Sequence, residues 1–288
     1  MFCKERVIDM NLGQRKSGLR RSTSDISIIG YNGRQSSQVS DLVAVEEPLE
    51  IFINNNLFHT TMRSPGEEIP LAVGYCYTRG VVHSIDDFLS IAYCNEESGN
   101  RIDLFLPLSD KEGTGNAIKQ KTSSIAYSSC GICGTDIIKD MCAAIPRKDI
   151  TLTIEDSKIA YLSEILESRQ DIFPVTGGAH AAGIFDGSGN LLAFSEDVGR
   201  HNALDKAIGL LVLERKHKEP CIVVLTSRLS YEMVQKVTRL NAEIIIGISS
   251  PTSLAVELAR SVNITLIEFS RDEKGYIFTC PERVILDL

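Results

Sequence analysis

No run in the 288-residue sequence approaches the ~20 consecutive apolar residues of a membrane-spanning helix, so a helical membrane protein is not expected. The start, Met1-Phe2-Cys3-Lys4-Glu5-Arg6, lacks an apolar core, so no secretory leader is expected. Basic charge is short as well. The net charge of −8 argues against nucleic acid as the main partner, because phosphate contacts need a basic surface. The balance is uneven: residues 1–40 carry a net +4 and the remainder −12. No internal repeat is present, and metal-ligand spacing is lacking. Cys130 and Cys133 form one Cys-x-x-Cys, but Cys142 and His180 complete no standard zinc pattern. The sequence argues strongly against a zinc deaminase, the alternative enzyme class, since it needs His-x-Glu followed by Pro-Cys-x-x-Cys. Here Ala181 and Ala182 follow His180, and the cysteine pair precedes it.

The hydrophobic fraction of 43% supports a real core, in one large domain or two modest ones, and the 24% charged fraction suits a soluble protein. The eight cysteines sit in a chain too large for a disulfide-stapled scaffold, which points to the cytosol and reduced thiols. Cys221, in Cys221-Ile222-Val223-Val224-Leu225, reads as a small buried hydrophobe.

Four segments follow from composition and periodicity. Residues 1–40 are polar, rich in Arg, Ser and Gly, and read as a flexible basic arm. Residues 41–110 read as a small β-rich subdomain. In it Leu49 to Ile53 and Leu57 to Met62 are strands about an Asn54-Asn55-Asn56 turn, and a short helix follows Pro65-Gly66. Residues 111–150 hold the cysteine pair in a serine- and glycine-rich loop region. Residues 151–288 alternate helices and strands. The continuous apolar runs 221–225 and 244–248 predict strands covered on both faces, hence a three-layer α/β domain.

Five clusters carry candidate chemistry. Cys130-Gly131-Ile132-Cys133-Gly134 suits a reachable thiolate, since its glycines leave little bulk; on spacing alone a redox dithiol and a sulfur relay both remain open. Thr176-Gly177-Gly178-Ala179-His180 can crowd backbone N–H groups around an anion or ring, or can be a plain turn. The run from Glu196 to Lys206 packs six ionisable residues into eleven positions; Gly199 permits a sharp helix entry, and Arg200 at the helix start suits a phosphate. Thr226-Ser227-Arg228 and Ser249-Ser250-Pro251-Thr252-Ser253 each end a buried strand and precede a helix, the edge where ligands bind in open α/β sheets. N-capping accounts for Ser230 and for Ser249 or Ser250, but not for Arg228. Phe269-Ser270-Arg271-Asp272-Glu273-Lys274 closes the last such strand with two more cations, and reads on its own as a solvated turn.

Together these motifs, with Arg228-Leu229-Ser230-Tyr231-Glu232-Met233-Val234-Gln235-Lys236, Glu47 to Ile51 and Ser250 to Leu258, resemble the FdhD family of formate dehydrogenase accessory sulfurtransferases over about residues 40–285. The run 196–206 is the most specific part. The resemblance implies a sulfur carrier that takes persulfide sulfur from a cysteine desulfurase. It would pass that sulfur to the molybdenum or tungsten bis(guanine dinucleotide) pterin cofactor before insertion into formate dehydrogenase. Cys130 matches the persulfide-carrying cysteine and Cys133 the second loop cysteine. Phe269, Ser270, Arg271, Asp272, Glu273 and Lys274 match the cofactor-binding segment, and Arg228, His180, Arg200 and Gly177 are expected beside it. A cytidine-deaminase-like larger domain, a homodimer and a cytoplasmic location are implied as well. Thr226-Ser227-Arg228 departs from the more common Ser-Gly-Arg, Cys280 stands where a histidine is frequent, and the basic arm lies outside the pattern. A non-catalytic chaperone that holds the cofactor for the apo-dehydrogenase is the competing reading, and a plain dithiol oxidoreductase a third. The chaperone would tolerate loss of both loop cysteines, which a carrier would not.

Overall fold

The computed structural model describes residues 22–33, 35–93, 100–107, 145–269 and 274–286. It begins with an antiparallel ribbon, β1 (Thr23–Asn32) and β2 (Gln35–Ala44), in which Thr23 faces Ala44 and Asn32 faces Gln35. This corrects the reading of residues 23–40 as a flexible arm. Gly33 opens the two-residue turn with φ 62°, a conformation that suits glycine at the first position of a hairpin loop. Most ribbon side chains are exposed, so its composition is that of a solvated tail and hides the pairing.

Four strands form the first sheet, in the order β4-β3-β6-β5: β3 (Glu47–Ile53), β4 (Asn56–Arg63), β5 (Ser90–Tyr93) and β6 (Arg101–Phe105). Asn54 and Asn55 turn β3 into β4 in the left-handed region, at φ 48° and 65°. Leu49, Ile51 and Ile53 alternate inward, the period of a half-buried strand. Helix α1 (Glu68–Thr78) follows the Pro65-Gly66 turn.

The second sheet has six strands in the order β13-β12-β11-β10-β8-β9. It is preceded by β7 (Ile154–Glu155), α2 (Asp156–Ser168) and α3 (Phe173–Thr176). The strands are β8 (His180–Phe185), β9 (Leu191–Asp197), β10 (Cys221–Arg228), β11 (Ala242–Ser249), β12 (Thr265–Phe269) and β13 (Gly275–Thr279). Helices α4 (Arg200–Leu213), α5 (Tyr231–Val237) and α6 (Ser253–Ser261) connect them, and β14 (Val284–Ile285) pairs with β7. The strands β10, β11 and β12 run parallel, while β8 and β13 are antiparallel to their neighbours.

Both faces of this sheet are covered, as the continuous apolar runs require. Val223 and Leu225 join α4, α5 and α6 in one core, while Ile222 and Val224 join Ile159, Leu162 and Leu166 of α2 in the other. The first core continues through α1 to the four-stranded sheet, so α1 and α4 lie between the two sheets. Their backbones touch. A Cβ on Gly74 would fall 1.8 Å from the Asp205 carbonyl oxygen, and one on Gly209 1.9 Å from that of Pro70. Only glycine permits that approach. No helix among the described residues is long and apolar enough to cross a membrane.

Candidate functional site at one sheet edge

The parallel strands β10, β11 and β12 all end on the same edge of the sheet. Antiparallel β8 and β13 begin there, and β9 ends there. That topology draws most of the sequence-expected residues together. His180 opens β8 opposite Asp197, Arg200 opens α4, Arg228 ends β10 opposite Ser249, Phe269 ends β12 and Lys274 precedes β13. Gly177 ends α3 three residues before His180, in the left-handed region at φ 65°, with open space where a Cβ would stand. Cys130, Cys133, Ser270, Arg271, Asp272 and Glu273 lie outside the described residues.

The run from Glu196 to Lys206 divides into two groups. Glu196 is buried and accepts hydrogen bonds from the backbone N–H groups of Asp171, Ile172 and Phe173 at 2.8, 2.8 and 2.7 Å. It thereby fixes the segment that leads to Gly177. Asp197, with no exposure, accepts from Lys206 Nζ at 2.7 Å, from the Ser64 and Gly199 N–H groups at 3.1 and 2.8 Å, and from Asn202 Nδ2 at 3.1 Å. Lys206 also donates to the Ser64 carbonyl at 3.0 Å. A buried pair needs further hydrogen bonds to offset its lost hydration, and Asp197 takes three from N–H groups while Lys206 gives one to a carbonyl. Asp205 accepts from Lys236 Nζ at 2.7 Å and from the Thr78 hydroxyl at 2.9 Å. These residues pin α4 to β9, α1 and α5. Arg200 and His201 take no part in these pairs.

Arg200 is half-buried, and its Nε has no hydrogen-bond partner among the described residues. Burial, then the nearby Arg200 charge, lowers the pKa of His180 below the ordinary imidazole value, so its ring is neutral at pH 7. The Thr226 hydroxyl accepts the Ala181 N–H at 2.9 Å and ties β10 to β8 beside that ring. Arg228 and Lys274 are exposed, while Phe269 packs half-buried against the core on the α2 side. Ser250 donates to Glu268 at 2.8 Å rather than capping a helix; the cap of α6 is Thr252, which accepts the Ala255 N–H at 3.4 Å. Ser230 occupies the N-cap position of α5, but its hydroxyl makes no capping bond.

One contact was not anticipated. His201 Nε2 lies 2.8 Å from Glu232 Oε2, joining the starts of α4 and α5. Both residues fall inside the recognised motifs, but a helical sequence offers no sign that positions from separate helices meet. Among the described residues no three His, Cys, Asp or Glu side chains converge on a metal site. The described cysteines offer no ready nucleophile. Cys76 and Cys221 are buried, and burial pushes the Cys221 thiol up to about 12. Cys280 is half-buried, with burial again raising its pKa.

The sequence profile of the FdhD/NarQ family matches residues 44–285. The chain is 37% identical over 258 residues to the sulfur carrier protein FdhD of Sulfolobus acidocaldarius, covering 89% of this chain and 95% of that one. It is 39% identical over 249 residues to the protein of the same name from Saccharolobus solfataricus, covering 85% and 91%. A protein of that name from Xanthomonas oryzae is 34% identical over 260 residues, covering 90% and 92%. The crystal structure of a putative formate dehydrogenase accessory protein from Desulfotalea psychrophila superposes with a TM-score of 0.71 at 24% identity, covering 91% of this chain and 99% of that one.

Proposed function

Because the chain belongs to the FdhD/NarQ family, we propose that it is a sulfur carrier in the maturation of formate dehydrogenase. Cys130 accepts the sulfane sulfur of a cysteine desulfurase persulfide. Its thiolate attacks the outer sulfur, the donor S–S bond breaks, and the desulfurase thiol leaves, with no net oxidation. Cys133 shares the persulfide or releases the sulfur by closing a disulfide. The sulfur then passes to the molybdenum or tungsten bis(guanine dinucleotide) pterin, which is cargo rather than a resident cofactor. Such exchange suits a reducing compartment, in keeping with a cytoplasmic location. A homodimer on a cytidine-deaminase-like scaffold completes the reading.

The observation that carries it is the gathering of separate motifs on one sheet edge. Arg200, Arg228 and Lys274 supply positive charge there within a chain of net charge −8. The first-turn N–H groups of α4 and α6 add donors. Local cations of this kind can hold a ligand with several phosphate charges against an acidic whole. Phe269, Ser270, Arg271, Asp272, Glu273 and Lys274 would line the same ligand, with Gly177 and His180 at its other side.

Intact-mass measurement after incubation with a desulfurase and cysteine tests the reading. The expected result is a gain of sulfur by the full chain and none by Cys130→Ser. A Cys130→Ser protein that still gains sulfur removes Cys130 from the role.

A further inference from the structure

Strand β12 brings a carboxylate to this edge. Glu268 is its penultimate residue, and alternation puts it on the face of Leu266, the α6 side of the sheet, with Phe269 on the other face. Among the described residues Glu268 accepts only the Ser250 hydroxyl, at Oε1 and 2.8 Å, and its Oε2 has no partner. Glu196 and Asp197, which end β9 on the same edge, are by contrast filled by the frame.

Two neighbours shape the space beside Glu268. On β11 it pairs with Gly247, where Leu229 takes the place of a side chain: a Cβ on Gly247 would fall 2.6 Å from Leu229 Cγ. On β13 it pairs with Tyr276, which is 55% exposed. Residues directly opposite in a sheet share a face, with Cβ atoms about 5 Å apart. Phe278, two residues beyond Tyr276, packs on the core beneath α6, as that face requires. An open aromatic ring beside a carboxylate suits a flat ligand that stacks and donates hydrogen bonds along one edge. Guanine is such a ligand, because its N1–H and N2–H groups point the same way and one carboxylate accepts both. Adenine instead turns an acceptor, N1, toward the carboxylate. Arg228 ends β10, two strands from β12 and about 10 Å across the sheet, where the phosphates of a nucleotide would extend.

We propose that Glu268 and Tyr276 form the base-reading end of the ligand edge. Glu268 accepts from N1–H and N2–H of a guanine, Tyr276 stacks on the base, and the Ser250 hydroxyl positions the carboxylate. The proposal deepens the sulfur-carrier reading, and rests on it, by assigning the residues that tell a guanine dinucleotide from an adenine one.

Calorimetry of the full chain with GDP, IDP, XDP and ADP tests the proposal. The wild type is expected to bind GDP at least about tenfold more tightly than IDP, which lacks the N2 donors, and ADP more weakly still. Glu268→Gln should lose about 10- to 100-fold for GDP yet gain affinity for XDP, whose O2 accepts from the new amide. A merely structural role would not exchange one base for another. Tyr276→Ala should weaken GDP and IDP alike by about tenfold, and Tyr276→Phe should not. If the wild type prefers GDP and a normally melting Glu268→Gln keeps that preference, the assignment of Glu268 is overturned while the guanine ligand stands. Should Glu268→Gln fail to fold, the remaining measurements decide: equal binding of GDP and IDP by the wild type, or full affinity in Tyr276→Ala, overturns the subsite. A wild type that binds GDP no better than ADP removes the guanine ligand and this subsite together. Sulfur loading of the same preparation, read by intact mass, then reports separately on the carrier role.

Discussion

Glu243 shows how a single side chain ties pH to stability. Burial alone would raise its pKa, but the Thr151 hydroxyl, the Thr151 and Leu152 N–H groups and Arg283 together hold it below 4.5. A carboxyl depressed by folding stabilises above its unfolded pKa, and that contribution is lost as pH falls through the folded value. Glu243→Gln should therefore cost about 2 kcal/mol in urea melts at pH 7, and the gap to wild type should close as pH drops below 4.5. Asp197→Ala should be harsher, about 3–5 kcal/mol by the same melts, because it strands Lys206 in the core. Arg228→Ala, at an exposed position, should leave melting unchanged yet weaken guanine-nucleotide binding about tenfold in calorimetry; unchanged affinity would remove Arg228 from the site. These residues also mark what the sequence could reveal. Arg200 and Arg228 are legible as edge cations because each borders a buried strand. Asp197, Lys206 and Asp205 look equally polar in sequence, and only burial separates scaffold from site. The His201–Glu232 contact spans two helices and has no local signature.

Between elements, the α1–α4 contact depends on two glycines. Gly74→Ala or Gly209→Ala should each destabilise by about 3 kcal/mol or more, because the added methyl meets backbone rather than a yielding side chain. The β1–β2 ribbon is the opposite case. A two-stranded hairpin open on both faces is marginal by itself, so its amides should exchange far faster than those of β10 and β11 in hydrogen-exchange mass spectrometry. The helices and buried strands of the region 151–288 follow from periodicity, since apolar runs of five residues predict two-sided burial and the structure has it. The ribbon was missed for the converse reason: with little buried apolar surface it leaves no hydrophobic period, and the one clue is Asn32-Gly33. Caps were misplaced as well. Thr252, not Ser249 or Ser250, holds the start of α6, because Pro251 delays the helix entry.

At the scale of the molecule, two sheets share the α1–α4 layer, and the polar clusters of the run 196–206 lock that layer to the edge where Arg200 and His201 emerge. The chain thus combines a rigid, internally paired frame with a ligand edge whose local cations stand out against the overall acidity. The family was legible from motif order, and the mixed α/β class and the strands that end at this edge from periodicity. Which side chains meet across it was not, because the sheet brings together residues 180, 200, 228 and 269 that the sequence holds far apart. The central claim is that the protein is loaded with sulfur and then unloaded. A pulse–chase with isotopically labelled sulfur addresses it most directly: the full chain is charged by a desulfurase, separated, and mixed with apo-formate dehydrogenase and its guanine dinucleotide pterin. The account expects the label to leave this chain and appear with the pterin, and a Cys130→Ser chain to deliver none. Label that stays on the loaded chain, while the dehydrogenase becomes active all the same, would contradict it.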